Sequence, residues 1–213
     1  PGVQSWRSIT VNDIYTNCLN YNKTLNSHMM KNDEWGAVAY LSKSKYGKNA
    51  EVDINSDSSY YTGGGSGNAY VTNVGQSTTG TVHGVYDMSG GAWEYVAAYV
   101  NNGNSNLTNY GSSLVNGDAK TKNVYSKGSS DSRDNNYSAN SGKYGDAVYE
   151  TSANGNSSSS SWYGDYSNFP YTLFSFFERG GCCSNVTHAG VFALEKHNGV
   201  SSIVSSRPVL AVL

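Results

Sequence analysis

The stretch that most constrains this chain is Gly84-Val85-Tyr86-Asp87-Met88-Ser89-Gly90-Gly91-Ala92-Trp93-Glu94-Tyr95. Ser-Gly and Gly-Gly are turn dipeptides, because glycine reaches positive φ without a Cβ clash. The turn feeds a run from Ala92 to Val100 that is rich in aromatic and β-branched residues. In a strand, Trp93, Tyr95, Ala97 and Tyr99 share one face and Glu94 points the other way. The stretch therefore predicts a core strand entered through a tight turn. Trp35 and Trp93 are expected to be buried, with Trp93 on a central strand.

Two helices are predicted ahead of this strand. Residues 8–25 carry Ile14, Cys18 and Tyr21 at helical spacing, with Thr10 or Asn12 as the cap. Asn32 is read as the N-cap of the second helix. Asp33 and Glu34 suit its positive end, Trp35, Val38, Ala39 and Ser42 share a face, and Gly47 lies past its end. His28 reads as a capping or packing residue, since no second ligand type stands at helical spacing from it.

The segment "GVYDMSGGAWEY" resembles the signature of the formylglycine-generating-enzyme branch of the C-type lectin fold. Gly91-Ala92 departs from the Asn-Val of that pattern. "SHMMKNDEWGAVAYL" is similar to a segment of bacterial and phage surface proteins with this fold, and the ending "RGG…AGVF…RPVL" resembles the family's C-terminus. The resemblance covers about 5–45, 84–100 and 169–213. It implies two helices near the N-terminus with a sheet behind them.

Composition excludes several functions. Only 14% of the residues are charged, the formal net charge is -2, and no basic stripe is present, so nucleic acid is not an expected partner. No apolar run is long enough for membrane insertion. No signal peptide is read, and a chain that opens on Pro1 is expected to have lost residues ahead of it. The 18 Tyr and 24 Gly, with many Ser and Asn, form a mixture typical of binding surfaces. Cys18, Cys182 and Cys183 make no disulfide framework, and a bridge between neighbours would be strained, so free thiols are expected.

The middle of the chain is less informative. "TGGGSGN" at 62–68 lacks the Lys-Ser/Thr and the helix start of a phosphate loop. Residues 101–168 read as a long polar insertion of surface loops, with a flexible pentaserine at 157–161. Trp162 and Tyr163 after it belong either on a binding face or under the insertion. Residues 169–213 predict a hairpin system. "AGVFAL" is a strand, Asn198-Gly199 is a hairpin signal, and Pro208 is limited to a strand edge or start. Val191 and Phe192, on opposite strand faces, are expected in different core layers.

Enzyme and binder readings separate on particular residues. The family's copper-holding cysteines would correspond to Asn185 and Gly190, neither of which can serve. A Cys183–His188 pair lacks a readable orienting group or oxyanion hole. The sugar-binding tripeptides of calcium-dependent lectins are absent, although Asp53, Asp57, Asp131 and Asp134 could offer loop oxygens to an ion. The ending also resembles the variable proteins of diversity-generating retroelements, whose C-terminal repeat is rewritten at adenines. That resemblance implies a fixed frame of Arg179-Gly180-Gly181, Ala189-Gly190-Val191-Phe192 and Arg207-Pro208-Val209-Leu210.

The expectation is therefore one α+β domain over 1–213 in the C-type lectin fold. Two helices flank antiparallel sheets, 101–168 is the polar insertion, and 178–210 is the variable ligand-binding region. Its ligand-binding residues are Cys182, Cys183, Val186, His188, His197, Ser202, Ile203 and Val204, joined by Trp162 and Tyr163. They are expected to cluster on one solvent face. No catalytic residue, metal or cofactor is assigned. The partner is a protein or glycan on a target surface, and the location is a phage virion tail or the bacterial cell surface. The rival readings are a copper-dependent formylglycine-generating-type oxidase and a non-diversified structural tail or adhesin domain.

Overall fold

The fold is built on alternation along one long strand. A computed structural model describes residues 1–155 and 161–211. The 157–160 part of the pentaserine lies outside the described residues. In chain order the elements are β1 (Ile9–Thr10), α1 (Val11–Tyr21), β2 (His28–Met29), α2 (Asn32–Lys43), β3 (Trp93–Asn101), α3 (Ser105–Asn116), β4 (Asn123–Ser126), α4 (Arg133–Asn140) and β5 (Asn154–Gly155). They continue with β6 (Ser167–Asn168), β7 (Phe176–Gly180), β8 (Gly190–His197), β9 (Val200–Ser201), β10 (Val204–Ser205) and β11 (Pro208–Val209). Short 3₁₀ turns link several of them.

β3 is central. β7 lies on one side of it, and β10 and β4 cover successive halves of the other. Its residues alternate between two cores, as a period of 2 requires. Trp93, Tyr95, Ala97 and Tyr99 pack with Ile14, Tyr15 and Cys18 of α1 and Leu107 and Leu114 of α3. Val96, Ala98 and Val100 pack on the opposite face with Trp35 and Ala39 of α2 and with Tyr125, Phe169 and Phe177. Trp35 and Trp93 are both buried. The architecture is α+β, with helices on both faces of a multi-strand sheet.

The helix signals locate real termini. The Thr10 hydroxyl accepts the Asp13 N–H at 3.2 Å and so caps α1. At α2 the cap position is Lys31 rather than Asn32, and Glu34 Oε2 accepts the Lys31 N–H at 2.9 Å. Asn32 is instead buried, donating to Tyr125 Oη and the Asp146 carbonyl. His28 is a packing residue, with Nε2 2.8 Å from Glu34 Oε1.

Four expectations need correction. The sheet is mixed, because β10 and β4 run parallel to β3 and β6 runs parallel to β8. The 101–168 segment is not a set of loops: it carries α3, α4 and the sheet strand β4. Its asparagines take the place of an apolar pattern. Asn140, fully buried, bonds the Ser126 N–H and carbonyl, and Asn136 bonds the Gly128 N–H and the Pro170 carbonyl. Buried backbone groups need partners, and these side chains supply them. Third, Asn198-Gly199 is a turn but not a hairpin, since β9 pairs with β1 rather than with β8. Fourth, Val191 and Phe192 share the α2-side core. The register of β7 against β8 shifts between Arg179 and Gly180, so regular alternation breaks near Val191.

Candidate ligand-binding surface

The C-terminal segment leaves the sheet and returns to it between two pinned ends. Gly180 and Gly181 have φ of 88° and 75°, and a Cβ on Gly181 would come within 2.7 Å of Ala189. Only glycine fits there. At the return, a Cβ on Gly190 would lie 2.1 Å from Asp165 Oδ1, and Asp165 Oδ2 accepts the Phe192 N–H at 2.8 Å. Burial pushes the Asp165 carboxyl up to about 6. Between these ends, residues 183–188 form a short irregular helical turn.

The exposed part of this turn carries an unusual backbone. Val186 is 64% exposed and has φ 49° and ψ -125°. That conformation is close to the first central residue of a type II′ turn, where glycine is the usual occupant. For a β-branched residue it is strained by about 1–3 kcal/mol. Val186→Gly should therefore stabilise the fold by about 1 kcal/mol, after the extra chain entropy of glycine is subtracted. A rise in the urea midpoint at constant slope would show this, whereas a fall would mean that Val186 is held by its side chain.

Three distant segments meet beside Cys183. Its N–H donates to the Gly91 carbonyl at 2.8 Å, and its thiol lies near the Tyr60 hydroxyl, which acts on its titration. Burial raises the thiol above its ordinary value, with the neighbouring Cys182 adding to the effect. The Arg7 guanidinium sits 4.0 Å above the Tyr60 ring, and its Nη1 donates to the Ser202 carbonyl at 3.0 Å. Tyr60, Arg7 and Ser202 thus form one connected line near Cys183, and Ile203, which follows Ser202, is exposed. Sequence reasoning missed Arg7 and Tyr60. Neither lies in a periodic segment, so their residue types were the only signal.

A second group forms around β8. His188 Nδ1 lies 3.2 Å from the Gly164 carbonyl, which ties the turn to Trp162 and Tyr163. Both rings are about half exposed, and both pack on Phe192, Tyr163 stacked at 5.9 Å and Trp162 edge-on at 6.0 Å. Lys43 Nζ lies 3.4 Å from the Tyr163 ring centre. Next to them Thr187, Lys43, Asp165 and Glu51 line a cavity of about 480 Å³. Among the described residues, no hydrogen bond joins His188 to a cysteine.

Three expected surface residues lie elsewhere. Cys182 is buried in the α1-side core, with Sγ 3.1 Å from the Ser184 hydroxyl. Val204 is buried because β10 joins the edge of β3, which turns its side chain into the same core. His197 is half-buried and locked: its Nδ1 accepts from the Tyr95 hydroxyl at 2.5 Å and from the Gly199 N–H at 3.3 Å. Both donors aim at Nδ1, so the ring is neutral with its proton on Nε2. Burial, then the Lys196 charge, push His197 down to about 4. Burial and Glu195 push Glu178, 3.5 Å from His197, well above the usual carboxylate range, so this approach is not an ion pair at neutral pH.

That depression has a measurable sign. The unfolded chain takes up a proton near the ordinary 6.5 that the folded ring refuses until about 4. The His197 contribution to stability is thus complete above about 6.5 and is lost as pH falls toward 4. Between pH 7 and pH 4.5, wild type should lose about 2 kcal/mol more than His197→Gln, allowing for partial screening of a ring that is not fully enclosed. Paired urea titrations would measure it, and parallel pH profiles would show an unperturbed ring.

The cysteines are free thiols. Among the described residues, no group of three or more His, Cys, Asp or Glu is arranged to hold a metal, and no helix is long and apolar enough to cross a membrane. Asp53 pairs with Lys48, Asp57 accepts the Ser59 N–H, and Asp131 accepts from Asn102 and Asn136. In comparisons with known proteins, no family model matches the chain, and no curated protein matches it.

Proposed function

We propose that the chain is a binding module of the C-type lectin fold, related to the variable proteins of diversity-generating retroelements. Its C-terminal segment displays the ligand contacts on a fixed frame. The observation that carries the reading is Val186. A β-branched residue stands exposed in a backbone conformation suited to glycine, between two ends pinned by buried packing. Folding does not select valine at such a position. The display set narrows to Cys183, Val186, His188, Ser202 and Ile203, flanked by Arg7, Tyr60, Trp162 and Tyr163. Cys182, Val204 and His197 belong to the frame. The ligand is a protein or glycan on a target surface, contacted from a phage tail or a bacterial surface.

The resemblance suggests the retroelement, and the burial of Cys182 and Val204 against the exposure of Val186 and Ile203 supports the proposed division between frame and display. Comparing the coding sequence of this locus among isolates tests both. Substitutions should concentrate at the display positions, at adenines in their codons, and should spare Arg179-Gly180-Gly181 and Ala189-Gly190. Even variation along 178–210, or an invariant display set, would count against the proposal.

A further inference from the structure

A second cleft, of about 700 Å³, opens between the N-terminal segment, α1 and residues 205–208. Its size falls within the roughly 300–1,000 Å³ range of small-molecule sites. Trp6 and Tyr21 stand on its wall with 61% and 68% of their surface exposed. Large aromatic rings left in water at the mouth of a concave site are contact area without a partner.

The floor of the cleft is polar and already charge-balanced. Arg207 gives Nε and Nη2 to the two carboxylate oxygens of Glu94, and Nη2 also donates to the Tyr86 carbonyl. Among the described residues, no hydrogen bond uses Arg207 Nη1. Asp87 Oδ1 accepts from Asn55 Nδ2 at 2.8 Å and from the Gly63 N–H at 3.1 Å, while Oδ2 accepts from none of the described residues. Arg207 and Asp87 both line the cleft. It therefore offers a spare donor and a spare acceptor, each on a side chain fixed by other bonds.

These features choose among ligand chemistries. An anion would find Arg207 already neutralised and would face the Glu94 and Asp87 carboxylates. A cation would face the guanidinium. A hydroxyl donates and accepts through one oxygen, which suits a mixed floor. Flat aromatic walls take the apolar C–H face of a ring whose edge carries those hydroxyls. We propose that this cleft binds a neutral sugar ring, with Trp6 and Tyr21 against its face and Arg207 and Asp87 on its hydroxyls. The site uses the frame residue Arg207 and none of the display positions, so it does not depend on diversification.

The test uses glucose, galactose, mannose and N-acetylglucosamine as probes, with choline as the cationic control. Binding is followed by tryptophan fluorescence and by saturation-transfer NMR. At least one sugar should bind, and Trp6→Ala and Tyr21→Ala should each weaken it about tenfold or more. Both positions are exposed, so the melting temperature should not move. Val186→Ser with Ile203→Ser should leave sugar binding unchanged, which distinguishes this cleft from the display positions. No binding of any sugar, binding insensitive to Trp6 and Tyr21, or binding of choline alone would overturn the proposal.

Discussion

Trp35→Ala should destabilise the fold by about 3–5 kcal/mol, the cost of deleting a large ring from a core that cannot fully collapse. Trp35 is fully buried where α2 meets the sheet, and its Nε1–H donates to the Val191 carbonyl at 2.7 Å. The Arg179 and Arg207 guanidinium groups lie 6.0 and 5.6 Å from its rings. Truncation therefore opens a cavity, orphans the carbonyl that positions the β8 entry, and strips the buried Arg179 and the partly buried Arg207 of a π-face. Trp35→Phe separates the effects. It keeps most of the volume and loses the N–H, and should cost about 1–2 kcal/mol. Denaturant titrations with a common slope would give both values. A loss under about 1 kcal/mol for the alanine variant would contradict this account of the core.

Arg207→Ala should cost a similar amount, about 3–5 kcal/mol, because it leaves the Glu94 carboxylate buried without its partner. The pair joins the start of β3 to the C-terminal segment. Burial pushes Glu94 above the usual carboxylate range, with the Arg207 charge opposing that rise. Removing Arg207 should raise Glu94 further, so the folded variant binds a proton more readily than the unfolded chain. Its penalty should then shrink as pH falls from 7 to 5. The double variant Glu94→Leu with Arg207→Met should recover most of the loss, since neither charge is then buried. A constant penalty across pH, or a double variant as weak as the single, would show that the pair is not coupled.

The long elements were legible because they carry a period. α1, α2, β3 and β8 follow from apolar spacing, capping residues and the Ser-Gly-Gly turn. The sheet order was not legible, because β1, β2, β5, β6 and β9 to β11 are two residues long and show no alternation. A strand that short is set by its neighbours, which is why Val200 pairs with Thr10 despite a hairpin dipeptide before it. The 101–168 segment misled for a different reason. Asn136 and Asn140 look like loop residues, yet they are buried and bond backbone groups, a role that depends on tertiary context. At the candidate surface, Val186 and Ile203 were readable as apolar residues without a packing pattern. Cys182 and Val204 looked the same in sequence, and only the β3–β10 pairing distinguishes them.

The central claim is that a rigid frame carries a display segment whose residue types folding does not choose. It is tested most directly by randomising Cys183, Val186, His188, Ser202 and Ile203 together and measuring melting temperatures across the library. Most members should fold, with melting temperatures within a few degrees of wild type, whereas a matched library at Cys182, Val191, Phe192 and Val204 should be largely unfolded. If the two libraries lose folded members equally, the displayed residues are part of the core and the account is wrong.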